Sequence, residues 1–241
     1  MNRYFLELAY HGKNYAGFQT QKNAHTVQAE VEKALEVFFK QKFQLTGSSR
    51  TDAGVHALQN FFHFDTDIEI DSKLVYNLNS ILPNDVVIKR IYPVSANSHC
   101  RFDAIGREYK YFIYKFKNPF LEDRAYYFPY SMNIELLNEA ASVIPYYHDF
   151  TSFSKRNTQV KTFDCAVSLS QWVNEGECLV YNVKANRFLR GMVRGLVGTM
   201  LQVGRGKISI PDFKKIIEAK DCSKVNFSVP GHALFLVKVE I

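Results

Sequence analysis

No stretch of the 241 residues is apolar for long enough to cross a membrane. The first strand-like segment, Tyr4 to Tyr10, carries Glu7, so it does not read as a signal peptide. A cytoplasmic protein is the expectation. Cysteine is scarce and scattered. Cys100, Cys165, Cys178 and Cys222 form no C-x-x-C pair, which favours reduced thiols over disulfides or a zinc site. The seven histidines lack the close pairing of metal ligands. No nucleotide-binding motif, low-complexity linker or clear internal repeat is present. The expectation is chemistry without metal or cofactor.

What the chain does have is the balance of an ordinary globular protein, with 46% hydrophobic and 22% charged residues. Its length suits one large domain, or two small halves around a shared core. A net charge of +6 and a pI near 9.0 are compatible with an RNA partner without demonstrating one. The 20 Phe and 14 Tyr are more suggestive, since several stand in strands beside Lys or Arg, although most serve as core filling.

Hydrophobic periodicity predicts strands at Arg3–Tyr10, Val55–Phe64, Val86–Val94 and Tyr109–Phe116. Thr26 reads as the N-cap of a helix with Val27, Val31, Ala34, Leu35 and Phe38 on its apolar face. A helix from about Ser72 to Ile81 has Leu74, Leu78 and Ile81 on one side. In the second half, Ile134–Ile144 reads as helix, and Thr162–Val173 and Leu179–Ala185 alternate as strands. A long helix is predicted over Phe188–Val203, with a stripe at Phe188, Met192, Leu196 and Met200. Pro211 suits the first turn of another helix, and Ala233–Ile241 closes as a strand. Strands separated by fewer, longer helices predict an α+β fold with a mostly antiparallel sheet. Two similar α+β halves are expected, 1–115 and 116–241, forming one catalytic unit, with the aromatic segment Phe116–Tyr130 as the crossover.

Two places could carry chemistry. Gly47 to Gly54 must be a loop, and it holds Arg50 and Asp52 two residues apart. A loop Asp is ordinarily a turn former. Flanking strands would nevertheless hold this loop firmly, and a neighbouring guanidinium would keep the carboxylate ionised, as a nucleophile or general base requires. The second place is the basic stretch Arg187, Arg190 and Arg194, at i, i+3 and i+7 of the predicted helix. These arginines are expected on one face, reading either as a solvated edge or as contacts to phosphate. Gly191, Gly195 and Gly198 nearby would permit close approach of a strand or of RNA.

The string Ser49-Arg50-Thr51-Asp52-Ala53-Gly54-Val55-His56-Ala57 resembles the signature R-T-D-A-G-V-H-A of the bacterial tRNA pseudouridine synthase A family. Further blocks follow in order. Tyr10 to Gln19 resembles Y-D-G-x-x-Y-x-G-[WF]-Q, and Thr26-Val27-Gln28 matches T-V-Q. Leu78 to Asp85 resembles N-x-x-L-P-x-D, and His99 to Ala104 resembles F-x-A-R-F-x-A. Arg107 to Tyr111 is similar to R-x-Y-x-Y, Asp149 to Phe153 to D-F-[TS]-S-F, and Asn186 to Arg194 to N-x-F-L-x-x-M-V-R. The likeness covers essentially the whole chain. Its departures are Phe18 where Trp is usual, Ser98 and Cys100 for Phe and a small residue, and Gly195 where Asn is common.

The resemblance implies that Asp52 is the catalytic carboxylate, that Arg194 pairs with it, and that Tyr109 packs against the target base. Arg50 would contact or wedge the RNA, with Arg187 and Arg190 assigned to phosphates. It also implies an active-site cleft between the halves and a homodimer acting on the tRNA anticodon stem-loop, at uridines 38 to 40. The reaction breaks the N1–C1′ bond of uridine, rotates the base and rejoins it through C5. A carboxylate could attack carbon or take a ribose proton, and the sequence leaves both open. The alternatives are a related synthase with another RNA target, or an RNA-binding module in which strand aromatics stack bases and Asp52 caps a turn. A glycoside hydrolase ranks last, because the Arg50–His56 motif has no second acid beside it.

Overall fold

The computed structural model describes residues 1–71, 73–156 and 160–241. In chain order the strands and α-helices are β1 (Asn2–Tyr10), α1 (Val27–Phe39), β2 (Thr46–Gly47), β3 (His56–Thr66), α2 (Leu74–Ile81), β4 (Val86–Val94), β5 (Gly106–Tyr114), β6 (Tyr126–Tyr127), α3 (Ile134–Val143), β7 (Val167–Glu175), β8 (Cys178–Ala185), α4 (Met192–Gly204), α5 (Ile210–Glu218) and β9 (Leu234–Glu240). They form two compact units, Met1–Ile105 with Phe235–Ile241, and Gly106–Leu234. Each is a sheet with helices, and pairing is antiparallel except at β3–β9 and β5–β6 among the registers described. The fold is therefore α+β with a mostly antiparallel sheet, as the sequence predicts.

In the first unit β1 lies between β4 and β3. On its other edge β3 takes β2 opposite Phe62 and His63, and β9 opposite His56 and Ala57. Tyr4 through Leu8 are all buried, so the strand reads as a continuous run rather than an alternation. Glu7, the one charge in that run, is held by Arg90 and Gln59. Thr26 caps α1 as expected, its hydroxyl accepting from Ala29 N at 3.3 Å. Helix α2 buries Leu78, whereas Ile81 is exposed and Leu82 takes the buried place after it. Ser72, the expected start of that helix, lies outside the described residues.

In the second unit β8 lies between β5 and β7, and β6 adds to β5. The Asn138 side chain on α3 accepts from Trp172 N at 2.8 Å and donates to Trp172 O at 3.0 Å, which ties helix to sheet. Ser209 and Asp212 make a capping box at the start of α5, with Pro211 in its first turn. Two expectations need correction. The strand predicted from Thr162 begins at Val167, and the helix predicted from Phe188 begins at Met192. Gly191 sets that second boundary: its φ of +76° is left-handed, so no helix runs through it.

Candidate active site

The Arg50–Asp52 loop leaves β2 and returns as β3, and its backbone is tied from several directions. Asn60, fully buried on β3, accepts from Ser49 N at 3.3 Å and donates to Ser49 O at 2.8 Å. The Tyr10 hydroxyl meets Thr51 Oγ1 at 2.8 Å, and burial pushes its phenol well above the usual range, so it stays protonated. On the other flank Phe18 N donates to Thr51 O and Gly54 N donates to Tyr15 O, both at 3.2 Å. Asp52 thus sits at the tip of a loop whose neighbours on both sides are fixed by main-chain bonds. Asp52 itself is half-buried, Arg50 is exposed, and Val55 N donates to Asp52 O at 3.2 Å.

The His56 ring braces the exit of the loop. It is buried, accepts from Gly12 N at 2.9 Å, and lies 4.2 Å from the His11 ring and 4.5 Å from the Phe235 ring. Gly12 is required there, because a Cβ would stand 1.9 Å from Val55 O. The Asp85 carboxylate secures the opening turn that faces the loop, accepting from Tyr15 Oη at 2.5 Å and Asn14 Nδ2 at 3.1 Å. Asn60, His56 and Asp85 carry no local sequence pattern that marks these roles. A polar Asn directly ahead of Phe61, Phe62 and Phe64 is the available signal, since a buried amide needs partners.

In the second unit Tyr109 stands on β5, paired with Val183 of β8, and is buried edge-on against Phe188 with ring centroids 5.1 Å apart. Arg194 is in the first turn of α4. Its guanidinium donates from Nε to Val229 O at 2.9 Å and from Nη2 to Phe227 O at 3.4 Å. The expected row of three arginines on one helix face does not form: Arg187 and Arg190 precede α4, in the connection from β8. Arg187 donates to Thr162 Oγ1 at 3.3 Å, and Arg190 is exposed, with its carbonyl accepting from Lys155 N. The glycines of α4 admit protein rather than RNA. A Cβ on Gly195 would meet Phe227 at 2.8 Å and Val225 at 2.9 Å, and one on Gly198 would meet Asn226 O at 2.1 Å.

Among the described residues no group of three or more His, Cys, Asp or Glu is placed to hold a metal ion, and no helix is long and apolar enough to cross a membrane.

Comparison with known proteins decides the family. The model of the tRNA pseudouridine synthase family matches residues 8–103 and 147–240. The chain belongs to that family. The tRNA pseudouridine synthase family isomerises uridine to pseudouridine in tRNA, so its members are isomerases. Among its relatives is tRNA pseudouridine synthase A of Parabacteroides distasonis, 46% identical over 241 residues, covering 99% of this chain and 96% of the relative. The protein of the same name in Bacteroides thetaiotaomicron is also 46% identical, covering 100% and 91%. That of Staphylococcus aureus strain MRSA252 is 36% identical, covering 98% and 91%.

Proposed function

We propose that this chain converts uridine to pseudouridine in the anticodon stem-loop of tRNA, at positions 38 to 40, with Asp52 as the catalytic carboxylate. The observation that carries this reading is the loop itself: inside a segment matched by the family model, its backbone is clamped on both flanks of a half-buried carboxylate. Rigid support of this kind is what a nucleophile or general base needs, because displacement of about 1 Å costs heavily in rate.

In this reading Arg194 partners Asp52 during the reaction, and Tyr109 offers its ring to the detached uracil. Arg50, exposed two residues before Asp52, contacts the RNA, and Arg187 and Arg190 meet phosphates. The enzyme uses no metal or cofactor, since the isomerisation neither oxidises nor hydrolyses its substrate. It works as a homodimer in the cytoplasm, with tRNA bridging two subunits. The test is Asp52→Ala, assayed by single-turnover pseudouridine formation beside filter binding of the same tRNA. Turnover is expected to vanish while affinity stays near the wild-type value, because one carboxylate adds little attraction to a polyanion. Substantial pseudouridine formation by the variant would reduce Asp52 to a turn residue.

A further inference from the structure

Ahead of the strand Gly106–Tyr114, the turn Ser98–Ile105 carries a cluster to which no catalytic role has been given. Phe102 is 75% exposed and Ile105 74%. The turn therefore presents the Phe102 ring to solvent. Phe102 is also pre-stacked. Its ring lies 4.1 Å from that of His99 at an interplanar angle of 31°, and His99 in turn stands edge-on to the buried His63 at 4.5 Å. The Arg101 guanidinium reaches over the Phe102 ring, 5.9 Å from its centroid.

The turn is rigidly seated. Arg3 Nη1 donates to Ser98 O at 2.9 Å, Asp103 Oδ2 accepts from His99 N at 2.7 Å, and Ile105 N donates to Glu240 O at 2.8 Å. Between them Cys100 is fully buried, its thiol 3.2 Å from His63 Nδ1 and donating to Thr46 O at 3.2 Å. Thr46 belongs to β2, the strand that leads into the Arg50–Asp52 loop. Cys100 thus fastens an exposed aromatic shelf to the strand entering the Arg50–Asp52 loop.

We propose that Phe102, backed by His99, is a stacking shelf for an unpaired base of the RNA substrate, with Arg101 meeting the adjoining phosphate. An exposed aromatic ring with a guanidinium close to it is the pairing that single-stranded RNA recognises: the ring takes the base and the cation takes the backbone. Neither a flat apolar partner nor a small anion uses both. Burial holds His63 neutral, with its pKa lowered to about 4, so the shelf rests on an uncharged ring rather than a second cation.

The proposal rests on an RNA substrate, and its test separates the two. The variants Phe102→Ala, Phe102→Leu and Phe102→Trp are compared in affinity for tRNA and in the quenching of a 2-aminopurine placed in the unpaired loop of an anticodon stem-loop. Base–aromatic stacking predicts a loss of affinity of about 5- to 150-fold for Ala. A comparable loss is expected for Leu, with recovery in Trp. Quenching should disappear in Ala and Leu, with melting temperatures unchanged because the side chain is exposed. Wild-type affinity and quenching in Phe102→Ala would overturn the shelf while leaving the synthase reading intact. Full recovery by Leu, or a change only in oligomeric state, would overturn it too, by assigning the ring to an apolar protein contact. Failure of the wild-type chain to bind tRNA would instead remove the synthase reading.

Discussion

At the scale of single residues, burial of the His63 ring ties the fold to pH. Burial is the main cause that lowers its pKa to about 4; His99 and Arg3 lower it further, and Asp65 and Asp103 act against them. The unfolded chain takes up this proton near the ordinary value of about 6.5, whereas the folded chain resists it until about pH 4. The unfolded state therefore binds more protons throughout that window, and stability falls as pH drops through it, by about 3 kcal/mol in all. Urea melts at pH 7 and pH 4.5 are expected to show most of this loss in the wild type and much less of it in His63→Gln. Equal acid losses in both would mean that His63 is not held neutral in the folded chain. Nothing local in the sequence marks His63 for burial, and the same holds around Asp52. A loop Asp read alone is ordinarily a turn former, and it is the resemblance of its motif that singles Asp52 out. The residues that hold its loop carry no such mark, because Asn60, His56 and Asp85 act on positions 11 to 71 residues away, and periodicity carries no such information.

At the scale of elements, helix starts with chemical caps were readable and the one set by backbone conformation was not. Thr26 and Pro211 announce themselves by residue type, and α1 and α5 begin beside them. The stripe Phe188, Met192, Leu196 and Met200 extrapolates smoothly through Gly191, because hydrophobic period is blind to a φ of +76°. Hence Arg187 and Arg190 fell out of the expected row. Helix α4 is also buried nearly all round, so its glycines answer to packing. Alanine at Gly198 should gain about 1 kcal/mol in helix propensity. The added Cβ would, however, lie 2.1 Å from a backbone oxygen, Asn226 O, which has little freedom to retreat. Overpacking costs about 1–3 kcal/mol and the clash with backbone belongs at the upper end, so steric cost wins. Gly198→Ala is expected to lower stability by about 2 kcal/mol in a denaturant titration. Gly176→Ala, where nothing lies within 4 Å but φ is +59°, should lose only about 1–2 kcal/mol from backbone strain. A neutral or stabilising Gly198→Ala would show that segment 225–227 can move aside.

At the scale of the whole molecule, the chain leaves its first unit after Ile105 and re-enters it at Phe235. Alternation in Ala233–Ile241 marks a strand, but nothing local names its partner, which lies about 180 positions earlier in the chain. The returning strand meets the first unit where the Arg50–Asp52 loop ends. Phe235 and Leu236 pair with His56 and Ala57, the Phe235 ring packs tilted against the His56 ring, and Val239 N donates to Gln59 Oε1 at 3.0 Å. His56 passes that support on by accepting from Gly12 N. Such distant pairing is slow to form, since the loop entropy must be met before any contact rewards it. The brace behind Asp52 is thus completed only when Phe235, Leu236 and Val239 are in place. Removing Phe235–Ile241 should admit water to His56 and loosen the Gly12–His56 bond, so the amides of Gly12, Ala57 and Gln59 should exchange far faster than in the full chain. Pseudouridine formation should fall with them, although Asp52 and every arginine of the proposed site remain. Phe235→Ala, which keeps the strand and removes the ring, should give a smaller effect in the same direction. The measurement is amide exchange by mass spectrometry beside single-turnover assays. Full turnover by the truncated chain, with those amides still protected, would show that the loop is held by Asn60, Tyr10 and Tyr15 without help from the C-terminal strand.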